Sequence, residues 1–86
     1  MKVIWKYPLR LSGGEPVLIR MPWDAVPVRL AMQNDVPMLW CFCNPKSNMA
    51  DRRFVVAATG REVPDTARYI GSCADDPYVW HAFELL

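Results

Sequence analysis

The chain has 86 residues, a formal net charge of +1, 52% hydrophobic and 22% charged residues. That length supports one hydrophobic core, so a single domain over residues 1–86 is expected, and the apolar content excludes an intrinsically disordered chain. The ten Lys and Arg residues are scattered instead of gathered in a block, so composition gives no electrostatic footprint for nucleic acid.

In chain order, Lys2 to Arg10 alternates Val3, Trp5, Tyr7 and Leu9 against Lys2, Ile4 and Lys6, a strand pattern with Pro8 near its end. Ser12-Gly13-Gly14-Glu15 carries the paired glycines of a tight turn, which predicts that a second strand, Val17 to Met21, folds back on the first. Met21-Pro22-Trp23-Asp24-Ala25 breaks that run. Val28 to Gln33 then alternates cleanly and reads as a half-buried strand.

Asn34-Asp35 separates this strand from Val36 to Cys43, and the two-residue gap predicts a hairpin without the usual Gly. The second arm is apolar on both faces, as expected of a central or interfacial strand. Asn44 to Arg53 is polar and reads as an exposed loop or one short helical turn around Met49 to Arg52, the segment expected to be mobile. Arg53 to Thr59 ends at Gly60, Tyr69 to Cys73 is short, and Tyr78 to Leu85 closes the chain after an Asp75-Asp76-Pro77 turn. Eight prolines leave no uninterrupted helical period. The fold class is all-β, a small antiparallel barrel or sandwich of about six to seven short strands.

No uncharged run approaches the length of about 20 residues that a membrane helix needs. The N-terminal run carries Lys2 and Lys6 and no small-residue cleavage site, so no secretory leader is expected and a cytoplasmic location follows. Three cysteines, Cys41, Cys43 and Cys73, are an odd number and do not form an oxidised framework. With His81 they could supply four zinc ligands. However, Cys41-x-Cys43 on a strand lacks the intervening turn that wraps a metal, so the reading is buried reduced thiols and no metal. His81 is the only histidine. Neither Ser72 nor Cys73 near it makes a nucleophile, base and orienter set, and no catalytic residues and no cofactor are assigned. Asp75-Asp76 begins a turn and supplies too few oxygens for a hard cation.

Four segments, Ile4-Trp5-Lys6-Tyr7-Pro8-Leu9, Leu39-Trp40, Tyr69-Ile70-Gly71 and His81-Ala82-Phe83-Glu84, together with Arg52-Arg53-Phe54 and Thr59-Gly60, resemble a family of short all-β proteins encoded by phages, prophages and their bacterial hosts. The resemblance covers nearly the whole chain and implies a phage or mobile-element origin. It brings no catalytic or binding residues with it. Trp23-Asp24 and the pair Cys41 and Cys43 depart from the family pattern.

The chain has more large aromatic and Met side chains than so small a core buries comfortably. Trp, Tyr and Arg dominate interface hot spots, so the interface candidates are Trp23, Trp40, Arg52, Arg53, Tyr78 and Trp80. The expected function is a phage or prophage accessory protein that binds a bacterial host protein and inhibits it by occlusion, an anti-defence, CRISPR-inhibitor-like role being its most concrete form. The surplus apolar surface and the strand edges also favour a homodimer, through strand pairing or sheet stacking. Two other classes stay open: a nucleotide-sequestering or small-ligand module using Arg29, Arg52 or Arg53, and a single-strand nucleic-acid binder using Trp40 and Phe42 with Lys46 and Arg53. Nucleic acid is not the expected partner, because Asp51 offsets those few cations.

Overall fold

A computed structural model describes residues 1–11 and 14–86. Among these residues there are seven strands: β1 (Val3–Pro8), β2 (Val17–Pro22), β3 (Val26–Gln33), β4 (Val36–Cys43), β5 (Met49–Ala58), β6 (Arg68–Asp75) and β7 (Tyr78–Leu85). They form a three-stranded sheet in the order β1-β4-β3 and a four-stranded sheet in the order β2-β5-β7-β6, and every pairing is antiparallel. The sheets do not close on one another, so of the two expected architectures the sandwich is the one adopted. No helix among the described residues is long and apolar enough to cross a membrane.

The period-2 alternation of side chains builds the core. From β4, Leu39, Cys41 and Cys43 point inward and are fully buried, while Met38, Trp40 and Phe42 point out. Opposite them stand Ile19 and Met21 of β2, Phe54 and Val56 of β5, and Ala82 of β7, with Leu9, Ala25 and Leu30 completing the cluster. Trp80, Tyr7 and Ile70 pack against its margin.

Asn34-Asp35 forms the expected hairpin turn between β3 and β4. Asn34 (φ 51°) and Asp35 (φ 64°) both take the left-handed conformation that a two-residue turn of the mirror-image type requires. Asn and Asp tolerate it because their short polar side chains bond locally. Since Gly adopts this conformation without the steric cost, Asp35→Gly is expected to raise the unfolding free energy by roughly 0.5–1 kcal/mol, read from urea denaturation.

Two expectations are corrected. β2 does not fold back on β1: β1 pairs with β4, and β2 crosses to the other sheet to pair with β5. Ser12 and Gly13 of the expected turn lie outside the described residues. Residues 49–53 are not loop or helix but the first half of β5, and the connection from β4 shrinks to residues 44–48. The physical reason is Arg52, a charged residue that faces inward and so disguises the alternation of Ala50, Arg52 and Phe54.

That inward charge is paired. Arg52 Nε donates to Glu84 Oε2 at 2.6 Å and its Nη2 donates to Glu84 Oε1 at 2.7 Å, with both side chains largely shielded from solvent. The remaining guanidinium nitrogen donates to the Ala25 carbonyl at 2.6 Å, which ties the β2–β3 turn to the four-stranded sheet. Burial alone would push the Glu84 carboxyl up. The Arg52 hydrogen bonds and charge, followed by Arg68, outweigh it and hold the carboxyl below the usual glutamate range.

Candidate functional site

Cross-strand register assembles the outer face of the three-stranded sheet. Ile4, Phe42 and Val26 stand in one row across β1, β4 and β3, Lys6, Trp40 and Arg29 in the next, and Pro8, Met38 and Ala31 in the third. Directly paired residues share a face, so these nine side chains form one continuous surface. No other element of the described fold is layered on it. Ile4 and Val26 are each 51% exposed and Phe42 is 41% exposed, large values for apolar residues in adjacent positions. A β-bulge between Pro27 and Arg29 adds the exposed Val28 beside them.

The electrostatics of this face have one sign. Lys2 Nζ lies 5.1 Å from the centre of the Phe42 ring, and the Arg29 guanidinium lies 5.6 Å from that of Trp40. Lys6 Nζ donates to Gln33 Oε1 at 2.7 Å, reaching across β4 toward β3. None of the three rows holds a carboxylate. The face is therefore an apolar, two-ring platform edged with positive charge.

The six interface candidates do not converge. Trp40 lies in the middle of this platform. Trp23 is 64% exposed in the turn that leads into β3, three residues before Val26. Arg52 is inside the sandwich, committed to Glu84 and to the turn carbonyls. Arg53 is on the outer face of the other sheet, where its Nη2 donates to the Leu86 carbonyl at 2.7 Å. Tyr78 and Trp80 stack on each other at 5.2 Å near the β6–β7 turn, and Trp80 packs against the core. Arg29, Arg52 and Arg53, named for a phosphate, thus occupy three separate surroundings. Lys46 stands in the β4–β5 turn, away from the rows that hold Trp40 and Phe42.

Sequence reasoning named Trp40 and Phe42 but missed Lys2, Lys6, Ile4 and Val26 as their companions. The missing step was strand pairing: β1 lies beside β4 despite some thirty intervening residues, and no local motif announces it. The shared parity of Lys2, just before β1, with Ile4 and Lys6 on it was the only available sign.

The chemistry-bearing residues elsewhere are engaged in the fold. His81 is flanked by two hydroxyls, Thr59 Oγ1 at 2.8 Å from Nε2 and Tyr69 Oη at 2.9 Å from Nδ1. Ser72 is its cross-strand partner on β6, yet both ring nitrogens are taken by Thr59 and Tyr69. Burial is the first cause that pushes the Cys41 thiol up to about 12, with Cys43 adding to it, so Cys41 has little thiolate at neutral pH. The Cys43 thiol donates to the Cys41 carbonyl at 3.5 Å. Cys73 belongs to the other sheet, and burial likewise raises its thiol. Among the described residues, no group of three or more His, Cys, Asp and Glu side chains comes together in a way that could hold a metal ion.

No curated protein and no solved structure matches the chain. The model of a family described as a domain of unknown function, DUF7352, matches residues 1–86, and the chain belongs to that family.

Proposed function

We propose that the domain works by binding a protein partner and not by catalysis, with the outer face of the three-stranded sheet as its working surface. In its fullest form the reading is a cytoplasmic phage or prophage accessory protein that seats on a bacterial host protein and blocks it by occlusion, an anti-defence, CRISPR-inhibitor-like role being the most concrete version. The observation that carries the binding reading is the platform of Ile4, Val26, Trp40 and Phe42, left uncovered by the other described elements and edged by Lys2, Lys6 and Arg29. Exposed aromatic and aliphatic side chains in contiguous rows, rimmed by charge, have the anatomy of a protein interface. The phage origin and the inhibitory role rest on the sequence resemblance and on small size.

A second reading has its own observation. Trp40 and Phe42 are two residues apart on one strand, and each has a cation over its ring. Two neighbouring rings beside cations form a stacking platform for single-stranded nucleic acid. The aliphatic rows of Ile4, Val26 and Met38 favour protein over bases. Capture from a bacterial lysate separates the two readings. The protein reading expects a protein band that survives nuclease treatment and moderate salt and is lost with Phe42→Glu. Material that disappears with nuclease and falls steeply with ionic strength would replace it with the nucleic-acid reading.

A further inference from the structure

β1 is an unusual edge strand. Val3 and Trp5 point toward the sandwich interior and Ile4 points away from it, yet all three remain more than a third exposed. Apolar residues on both faces belong to strands that are covered on both faces. Here both faces are only partly covered, and one lateral edge is open among the described strands, where β1 pairs only with β4.

The phase of its backbone is fixed by one bond. Leu9 N donates to the Pro37 carbonyl at 2.8 Å, which extends the register in which Val3, Trp5 and Tyr7 pair with Cys43, Cys41 and Leu39. In an antiparallel ladder alternate residues turn their backbone groups to the same neighbour. The odd residues of β1 therefore bond to β4, and Ile4 and Lys6 direct their N–H and C=O groups to the open edge. Lysines often guard such edges. In this chain they do not, because Lys6 reaches across the outer face to Gln33 and Lys2 lies over Phe42. Beside the strand lies a concavity of about 650 Å³ bordered by Trp5, Tyr7, Arg20 and Met49.

We propose that β1 pairs antiparallel with β1 of a second copy of this chain, about a two-fold axis at Trp5. This register sets Ile4 of each copy opposite Lys6 of the other, and each such pair exchanges both backbone hydrogen bonds. Trp5 meets Trp5 of the second copy at the non-hydrogen-bonded position, where cross-strand side chains come closest, above the concavity. The occupant is a second copy because the donor and acceptor array of Ile4 and Lys6 is symmetric about Trp5 and so complements itself. Stacking the outer faces instead would press Lys2, Lys6 and Arg29 against the same three cations. Edge pairing avoids this and joins the two sheets into one of six strands, doubling the outward platform.

The test is the mass in solution at high micromolar concentration by sedimentation velocity, with hydrogen exchange on the same protein. The expected result is a species of twice 9.9 kDa, with the Ile4 and Lys6 amides exchanging more slowly as concentration rises. Ile4→Pro removes only an N–H that faces the open edge, so the variant should keep its circular dichroism and return to the single-copy mass. Were Ile4→Pro to unfold, the concentration dependence of those two amides in the unaltered chain would still decide. A single-copy mass at high concentration, a dimer that survives Ile4→Pro in folded form, or Ile4 and Lys6 amides protected only when a captured foreign protein is added would each overturn the proposal.

Discussion

Arg52→Ala is expected to lower the unfolding free energy by about 3–5 kcal/mol, the cost of stripping one partner from a buried ion pair. Glu84 would keep only Arg68, which donates at 3.2 Å from a side chain that is itself mostly in solvent. The Ala25 carbonyl would lose its 2.6 Å donor as well, freeing the turn that links the two sheets. Domains of this size have about 5–15 kcal/mol in total, so the variant should be near the limit of folding. Arg68→Ala should cost no more than about 1 kcal/mol, because its exposed ion pair is screened. Arg52→Lys should fall between them, since an ammonium cannot reproduce the fork that meets both Glu84 oxygens. Urea denaturation orders the three.

The same pair sets a pH dependence. Glu84 has a carboxyl held below its usual range in the folded chain, so the unfolded chain binds its proton first as pH falls. The stabilisation is fully present above the ordinary glutamate range and is lost as pH drops through the lowered folded value. Urea midpoints should therefore fall on the acid side of that range, and Glu84→Gln should flatten this limb while lowering stability at neutral pH.

The second large effect concerns binding. Trp40→Ala is expected to weaken partner affinity by at least about 2 kcal/mol, roughly thirtyfold, the scale of an aromatic hot spot at the centre of an interface. Its position supports that magnitude: Trp40 sits in the middle row between Lys6 and Arg29, with Phe42 and Met38 on either side of it along β4. Its ring points away from the core, so the fold should survive with a small stability loss. Arg29→Ala should chiefly slow association, because a rim cation steers approach more than it holds the complex. Leu18→Glu, an exposed position on β2 of the other sheet, should leave affinity unchanged. Surface plasmon resonance against the captured partner, which reads both affinity and association rate, checks all three.

Local chemistry made some of this fold legible. The Asn34-Asp35 gap, the β7 bounds and the two-faced apolar character of β4 follow from turn residues and period-2 alternation, and β4 does occupy the centre of its sheet. Long-range pairing was not legible. The Gly13-Gly14 signal pointed to a β1–β2 hairpin, but burial on two inner faces sends β1 and β2 to opposite sheets. Buried charge also misleads a pattern reader, as Arg52 and Glu84 look like solvent positions until they are seen to neutralise each other. The platform was half legible for the same reason. Its rings lie on one strand, whereas its cations arrive from β3 and from β1 with the residue preceding it, aligned only by register.

Photo-crosslinking at position 42 decides whether the outer face of the three-stranded sheet is the working surface. A benzoylphenylalanine in place of Phe42 puts the reactive ketone on the outer face of the three-stranded sheet, and the same residue in place of Leu18 puts it on the other sheet. The expected result is a covalent adduct with the captured protein from position 42 and none from position 18. Capture that persists without an adduct at position 42, or with one at position 18 alone, would contradict it.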